Sequence, residues 1–344
     1  MKRGYIVLLV TLVLLGIGGG YAWHIYGHMF GPGPEFEGGD RIVLIPTGSG
    51  FDQVIDSLKA QGSLADEQSF RLLAERKKYA NKVKPGRYRI GSGISLNELI
   101  NKLRSGDQDP VRITFTNIRT LPELAGKVSK YIEADSLELI QAMRDPATVD
   151  RLGFRSETMI SAFIPNTYEF WWTTTPGEFL ERMAKEYKRY WTEERKAKAK
   201  AIGLSQAEVA TLASIVQAET AKPDEAPIIA GVYLNRLRIG MPLQADPTLK
   251  FALGMDSLSR ILTEDLKVAS PYNTYTNAGL PPGPINMPEP RYIDAVLNAQ
   301  KNEYLYFCAR ETLDGYSNFA KSYEQHLVNA RRYQRALNER GIYR

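Results

Sequence analysis

The hydrophobic pattern of the chain changes character several times. Residues 4–23 form one uncharged apolar run, at roughly 20 residues long enough to cross a bilayer as a helix. Lys2 and Arg3 precede it and the next cationic side chain of that kind is Arg41, a bias that places a short tip, residues 1–3, in the cytoplasm. Tyr21, Trp23 and Tyr26 fall where aromatic rings favour the far interface. A cleaved signal peptide also fits, because Gly20-Tyr21-Ala22 offers a small-x-small site. The length of the run favours an anchor over residues 4–25. In either case the bulk of the chain is exported. The Pro and Gly content that follows Gly31 marks residues 26–40 as linker.

The pattern then settles into similar short units. Arg41-Ile-Val-Leu-Ile-Pro leads through the turn Gly48-Ser-Gly50 to Phe51, Val54, Ile55 and Leu58 at helical spacing. Gly86-Arg-Tyr-Arg-Ile leads through Gly91-Ser-Gly93 to Leu96, Leu99, Ile100 and Leu103, closed by Gly106. Val111-Arg-Ile-Thr-Phe precedes Leu121, Leu124, Ala125 and Val128. Each reads as strand, turn and amphipathic helix, which together make a small α+β module over residues 41–115. No acid–base constellation lies there, so scaffold or wall contact is the expected role. Further on, residues 136–152 and 178–200 each read as one helix, the second with Phe179, Met183, Tyr187 and Trp191 on one side. Between them, Tyr168, Trp171 and Trp172 suit either a core or the border of a sugar-binding groove.

Ser205 with Glu208 is a capping box that opens a helix over residues 205–220. Val209, Leu212, Ala213, Ile215 and Val216 form its buried stripe, and Glu219 continues that stripe. Desolvation and the negative end of the helix dipole both disfavour a carboxylate there. They favour instead an acid that keeps its proton near neutral pH. A solvated glutamate that does nothing fits the position as well. Asp224 and Glu225 read as caps of the next helix, which carries Ile228, Ile229, Val232, Tyr233 and Leu237. Polar, proline-rich loops follow: Met241-Pro-Leu-Gln-Ala-Asp-Pro-Thr, Ser270-Pro-Tyr-Asn-Thr-Tyr and Gly279-Leu-Pro-Pro-Gly-Pro-Ile. Asp246, in the first of these, is the best candidate for a second carboxylate of the kind glycoside hydrolysis needs. A short helix from Arg291, a hairpin around Asp314-Gly315 and a closing helix over residues 322–337 complete the chain.

Composition narrows the function. The chain has 344 residues, 24% charged and 43% apolar, with a net charge of +5. No basic arm or nucleic-acid motif accompanies that modest charge, so no nucleic-acid partner is expected; an anionic membrane or wall suits it better. Cys308 is the sole cysteine, and His24, His28 and His326 are the only histidines. An intramolecular disulfide is therefore excluded and a metal centre disfavoured. No Gly-x-Ser-x-Gly, P-loop, His-Glu-x-x-His or dinucleotide fingerprint is present.

Several motifs in one order carry a resemblance: Ser214-Ile-Val-Gln-Ala-Glu-Thr, Gly231-Val-Tyr-Leu-Asn-Arg-Leu, Leu243-Gln-Ala-Asp-Pro-Thr, Pro271-Tyr-Asn-Thr-Tyr, Gly279-Leu-Pro-Pro-Gly-Pro-Ile and Tyr304-Leu-Tyr-Phe. With them the chain resembles the endolytic murein transglycosylases, the MltG or YceG-like family. The resemblance implies an α+β protein of the inner membrane, with a LysM-like module and a catalytic part, residues 116–344, facing the periplasm. It implies non-hydrolytic cleavage of the MurNAc–GlcNAc bond in nascent glycan, which ends strand elongation, with peptidoglycan synthases as partners and no cofactor. The family's catalytic glutamate falls on Glu219. There one carboxyl suffices, because the substrate's own 6-hydroxyl attacks C1 and leaves a 1,6-anhydro end. Gln244, Asp246, Thr248, Tyr272, Asn273, Thr274 and Tyr275 match motif positions and are expected to shape the glycan groove. Hydrolysis by a muramidase and non-catalytic wall binding are the competing expectations. The chain departs from the family pattern at Gln217, where a second glutamate is common. It also departs at Ser317, where histidine is frequent, and at Gln325, where glutamate often precedes the histidine.

Overall fold

The computed structural model describes residues 2–255 and 261–342. Met1 of the expected tip, and residues 256–260, 343 and 344 of the expected catalytic part, lie outside the described residues. The chain divides into two units. One runs to Arg112 and includes Tyr131–Ala134 and Glu169–Thr175; the other comprises Ile113–Lys130, Asp135–Tyr168 and Pro176–Arg344.

In the first unit, helix α1 (Lys2–Phe30) carries the apolar run. Its Gly4–Phe30 stretch has a mean hydropathy of 2.1 and is, among the described residues, the one helix long and apolar enough to cross a membrane. Leu8, Leu15 and Trp23 are exposed around it, as suits a membrane anchor or a signal segment. The helix continues over residues 26–30, read above as linker, and buries Met29 among the core side chains of this unit. The chain after it is also held: Gly33 N–H donates to Gly93 O at 3.1 Å, and Gly93 N–H to Pro34 O at 3.0 Å.

The core module consists of β1 (Arg41–Ile45), α2 (Phe51–Ala60), α3 (Glu67–Arg76), β2 (Gly86–Ile90) and α4 (Leu96–Ser105). β1 and β2 pair antiparallel, from Arg41 opposite Ile90 to Ile45 opposite Gly86. The strand period turns Val43, Ile45, Tyr88 and Ile90 inward onto Val54, Leu58, Leu99 and Leu103. Ser95 and Glu98 close a capping box on α4, which ends on Gly106 in the left-handed region. Helix α3 has no counterpart in the sequence reading. Its composition is mostly polar, with Phe70, Leu73 and Ala74 alone buried.

The expected third strand, β3 (Val111–Thr114), pairs with β4 (Thr167–Phe170) and not with β1 or β2. After β3 come α5 (Leu121–Val128), α6 (Ser136–Arg144) and α7 (Pro146–Leu152). The helix expected over residues 136–152 is thus broken. Asp145 adopts an extended backbone and accepts Thr148 N–H, and Pro146 has no N–H to continue α6. The helix expected over residues 178–200 breaks likewise into α8 (Pro176–Tyr190) and α9 (Glu193–Ala201). There Trp191 turns into the core and Thr192 caps the new helix through Arg195 N–H.

The centre of the second unit is α10 (Gln206–Glu219), begun by the Ser205–Glu208 capping box. Residues 209–216 are all buried, so α10 lies inside the core instead of lending it one stripe. It packs against α11 (Ala226–Arg238), α12 (Asp246–Leu253) and α13 (Pro290–Leu297). The loop expected at Asp246 is corrected: Asp246 is the first residue of α12, with Pro247 in the opening turn where a missing N–H costs nothing. β5 (Tyr306–Ala309) and β6 (Ser317–Ala320) form the expected hairpin, with Cys308 opposite Asn318, and α14 (Tyr323–Glu339) closes the chain.

Candidate active site

Glu219 is the last residue of α10. Its neighbour Thr220 is anchored, since Tyr292 of α13 donates its hydroxyl proton to Thr220 O at 3.2 Å. The Glu219 side chain keeps some contact with solvent, yet protein surrounds it on its other sides. Burial is the main reason its pKa rises from 4.5, the ordinary value of a glutamate, to about 7. The nearby negative charge of Asp246 adds to the rise, whereas Arg236 and Lys250 oppose it. Tyr233 of α11, itself 1% exposed, donates its hydroxyl proton to Glu219 Oε1 at 2.8 Å and also opposes it. The result is a carboxyl with one oxygen fixed, and it passes between acid and anion near neutrality.

Tyr233 and Arg236 belong to the motif that begins at Gly231, and that glycine explains how they are placed. A Cβ on Gly231 would stand 2.4 Å from Gln300 O, so only glycine lets α11 approach the 300–302 segment this closely. Asn235 secures the approach, donating from Nδ2 to Asn302 O at 3.0 Å and to Tyr304 O at 2.9 Å. One position on, Arg236 is buried and donates to Leu305 O at 2.7 Å and Leu243 O at 2.6 Å. Its guanidinium also lies over the Tyr306 ring, 5.5 Å from the centroid. The sequence places Tyr233 among the apolar positions of its helix and Arg236 within a family motif, with no site role for either. The signal available is that Tyr233, Asn235 and Arg236 bring polar groups to the half of α11 that follows an apolar first half.

The expected groove residues fall into two groups. Gln244 is exposed, with φ 48°, while Tyr272 and Tyr275 are partly exposed. Asp246 is exposed and accepts the Tyr275 hydroxyl proton. Tyr272 packs its ring 4.8 Å from that of Phe251. Thr248, Asn273 and Thr274, by contrast, are at most 1% exposed. Thr248 donates to Ala245 O at 2.7 Å, which leaves Thr274 to donate to Thr248 Oγ1 at 2.8 Å while accepting Ala245 N–H at 3.0 Å. Asn273 donates to Leu266 O and Val268 O and accepts Tyr275 N–H. These three side chains spend their polar atoms inside the protein and hold the loops that present Asp246 and Tyr275.

The remaining motif positions tie α10 to the proline-rich segment. Ser214 Oγ accepts Ile285 N–H at 3.0 Å, and Asn286 donates from Nδ2 to Ser214 O at 3.0 Å. Gln217 Oε1 accepts Glu289 N–H at 2.7 Å, a bond that a glutamate carboxylate would accept equally. Glu225 does not cap α11 with its side chain. Its carboxylate, 3% exposed with the residue, accepts Ser317 N–H at 2.8 Å, and Asp224 accepts the Tyr316 hydroxyl proton at 3.1 Å.

The family model for the YceG-like family matches residues 43–332. A Bacillus subtilis protein named endolytic murein transglycosylase is 29% identical over 87% of this chain and 86% of its own length. One of the same name from Streptococcus pneumoniae is 28% identical over 96% of this chain, which spans 65% of that longer protein. The crystal structure of a YceG-like protein from Listeria monocytogenes superposes with a TM-score of 0.57 at 26% identity, covering 84% of this chain and 98% of the other. With most of its length matched by the family model, the motifs and α10 included, the chain belongs to the YceG-like family.

Proposed function

We propose that this chain is an endolytic lytic transglycosylase of peptidoglycan with Glu219 as its single catalytic acid and base. The observation that carries the reading is the recessed carboxyl at the end of α10, with its pKa near 7 and Oε1 held by Tyr233. The names of the relatives from Bacillus subtilis and Streptococcus pneumoniae supply the substrate.

In this mechanism protonated Glu219 donates to the oxygen that links MurNAc C1 to the next GlcNAc, and the C1–O bond breaks. The Glu219 carboxylate, steadied by the Tyr233 hydroxyl, then takes the proton of the MurNAc 6-hydroxyl as O6 bonds to C1. A 1,6-anhydro end forms, and Glu219 regains its proton without water entering the balance. Gln244, Asp246, Tyr272 and Tyr275 border the glycan, while Thr248, Asn273 and Thr274 shape the groove from within. Helix α1 serves as an inner-membrane anchor with its N-terminus in the cytoplasm and the body in the periplasm. The β1–α2–α3–β2 arrangement is the LysM-like, wall-contacting part, the catalytic part lies in residues 116–344, and cleavage of nascent strands beside their synthases ends elongation.

The test is Glu219→Gln in the full-length protein, assayed on uncrosslinked peptidoglycan strands. Loss of cleavage with an unchanged far-UV spectrum and melting transition at pH 4 supports the reading. Retained cleavage removes Glu219 from the chemistry.

A further inference from the structure

Beside Glu219 lies a cavity of about 340 Å³ that the mechanism does not use. Ala218, which precedes Glu219, and Pro247, which follows Asp246, form part of its wall. Ile118 adds a third apolar side chain, and the polar part of the wall is Asn117, Arg119, Gln217, Lys250 and Asn286. Lys250 makes no hydrogen bond or ion pair with any described residue, and its charge acts on Glu219 only through space. Gln217 has committed Oε1 to Glu289 N–H, which leaves its amide protons for a guest. The Lys250 ammonium and an uncommitted amide donor in one recess match a carboxylate, whose oxygens accept strongly from charged donors. Asn286 adds the complementary group. Its Nδ2 is engaged by Ser214 O, which fixes the orientation of the amide, and its buried Oδ1 has no partner. A buried acceptor in that position suits an amide N–H next to the carboxylate.

Resting on the transglycosylase reading above, we propose that this cavity is a subsite for the acidic peptide carried by the muramic acid, with Lys250 gripping a peptide carboxylate and Asn286 an adjacent amide N–H. The site would let the enzyme prefer glycan that still bears its peptides over glycan that has lost them. The preference comes from groups left unpaired when the peptide is missing.

The experiment compares full-length protein in detergent micelles on native uncrosslinked strands with the same strands whose peptide carboxyls have been converted to methylamides. A third sample has its peptides removed, which frees the lactyl carboxylate. Amidation is expected to lower kcat/KM of the wild type about tenfold, the size of one charge-assisted hydrogen bond. Lys250 also lowers the Glu219 pKa, so Lys250→Met is expected to change activity on every strand but to bring the ratio of native to amidated kcat/KM to about one, while Lys250→Arg retains most of the discrimination. A merely structural role for Lys250 would lower both values in proportion and leave their ratio intact, which overturns the proposal. Wild-type indifference to amidation also overturns it and leaves the transglycosylase reading standing. A Lys250-dependent advantage on peptide-free strands overturns the assignment to the peptide. Failure to cleave any strand overturns both readings.

Discussion

A raised carboxyl pKa costs the folded protein stability, and that cost gives a test independent of substrate. Below pH 4.5 both folded and unfolded chains carry the Glu219 proton, and the site contributes no penalty. As pH rises through 4.5 the unfolded chain ionises while the native carboxyl keeps its proton, so stability falls until about pH 7 and is then constant. A shift from 4.5 to about 7 corresponds to roughly 3 kcal/mol at full burial. Because the side chain retains partial solvent contact, about 1–3 kcal/mol is the expected size. Glu219→Gln removes the titration, keeps an oxygen to accept the Tyr233 proton, and should be more stable than the wild type by that amount at pH 8.5. At pH 4 the two should be nearly equal. Urea unfolding of both proteins in micelles at the two pH values measures the difference. A stability gain that is the same at both pH values, or a loss that grows with pH, would falsify the view that Glu219 is held protonated by its surroundings.

The other expectations concern the same neighbourhood. Tyr233→Phe removes the donor to Glu219 Oε1. The alkaline limb of the kcat/KM profile should move up by about one pH unit, and kcat at pH 7 should fall about tenfold. A fall with no movement of the limb would mean that the phenol merely packs. Asp246→Asn removes a negative charge that raises the Glu219 pKa, so the same limb should move down, opposite in sign to the tyrosine variant. Movement in the same direction for both variants would contradict the electrostatic account. Gly231→Ala forces a Cβ toward Gln300 O and should destabilise the fold by about 1–3 kcal/mol, seen as a lower urea midpoint. An unchanged midpoint would show that the 300–302 segment can retreat freely.

Local signals carried the sequence reading as far as local physics reaches. The Ser205–Glu208 capping box and the continuation of the apolar stripe at Glu219 were legible because both are set within one helix. So were the strand–turn–helix units, the Asp314-Gly315 hairpin and the Ser322 start of α14. The helix breaks at Asp145-Pro146 and Thr192 are not legible from periodicity, because helix-forming residues stand on both sides of each and the capping side chains Asp145 and Thr192 are single positions within them. The prolines around Asp246 suggest a loop, although proline also suits the first turn of a helix. The groups that tune Glu219 were out of reach for another reason. Tyr233, Arg236 and Asp246 meet it through packing of α10 against α11 and α12, and periodicity within one helix says nothing about which polar side chains face each other across two. Likewise the burial of Thr248, Asn273 and Thr274 is a tertiary fact that their polar character conceals.

The most direct test of the whole account is the chemistry of the new glycan ends. Wild-type protein and Glu219→Gln are incubated side by side with uncrosslinked strands in water enriched in oxygen-18, and the ends are weighed by mass spectrometry. The account predicts 1,6-anhydroMurNAc ends from the wild type with no heavy oxygen incorporated, and no new ends from the variant. Reducing MurNAc ends that carry oxygen-18 would contradict it, making the protein a hydrolase that works through water.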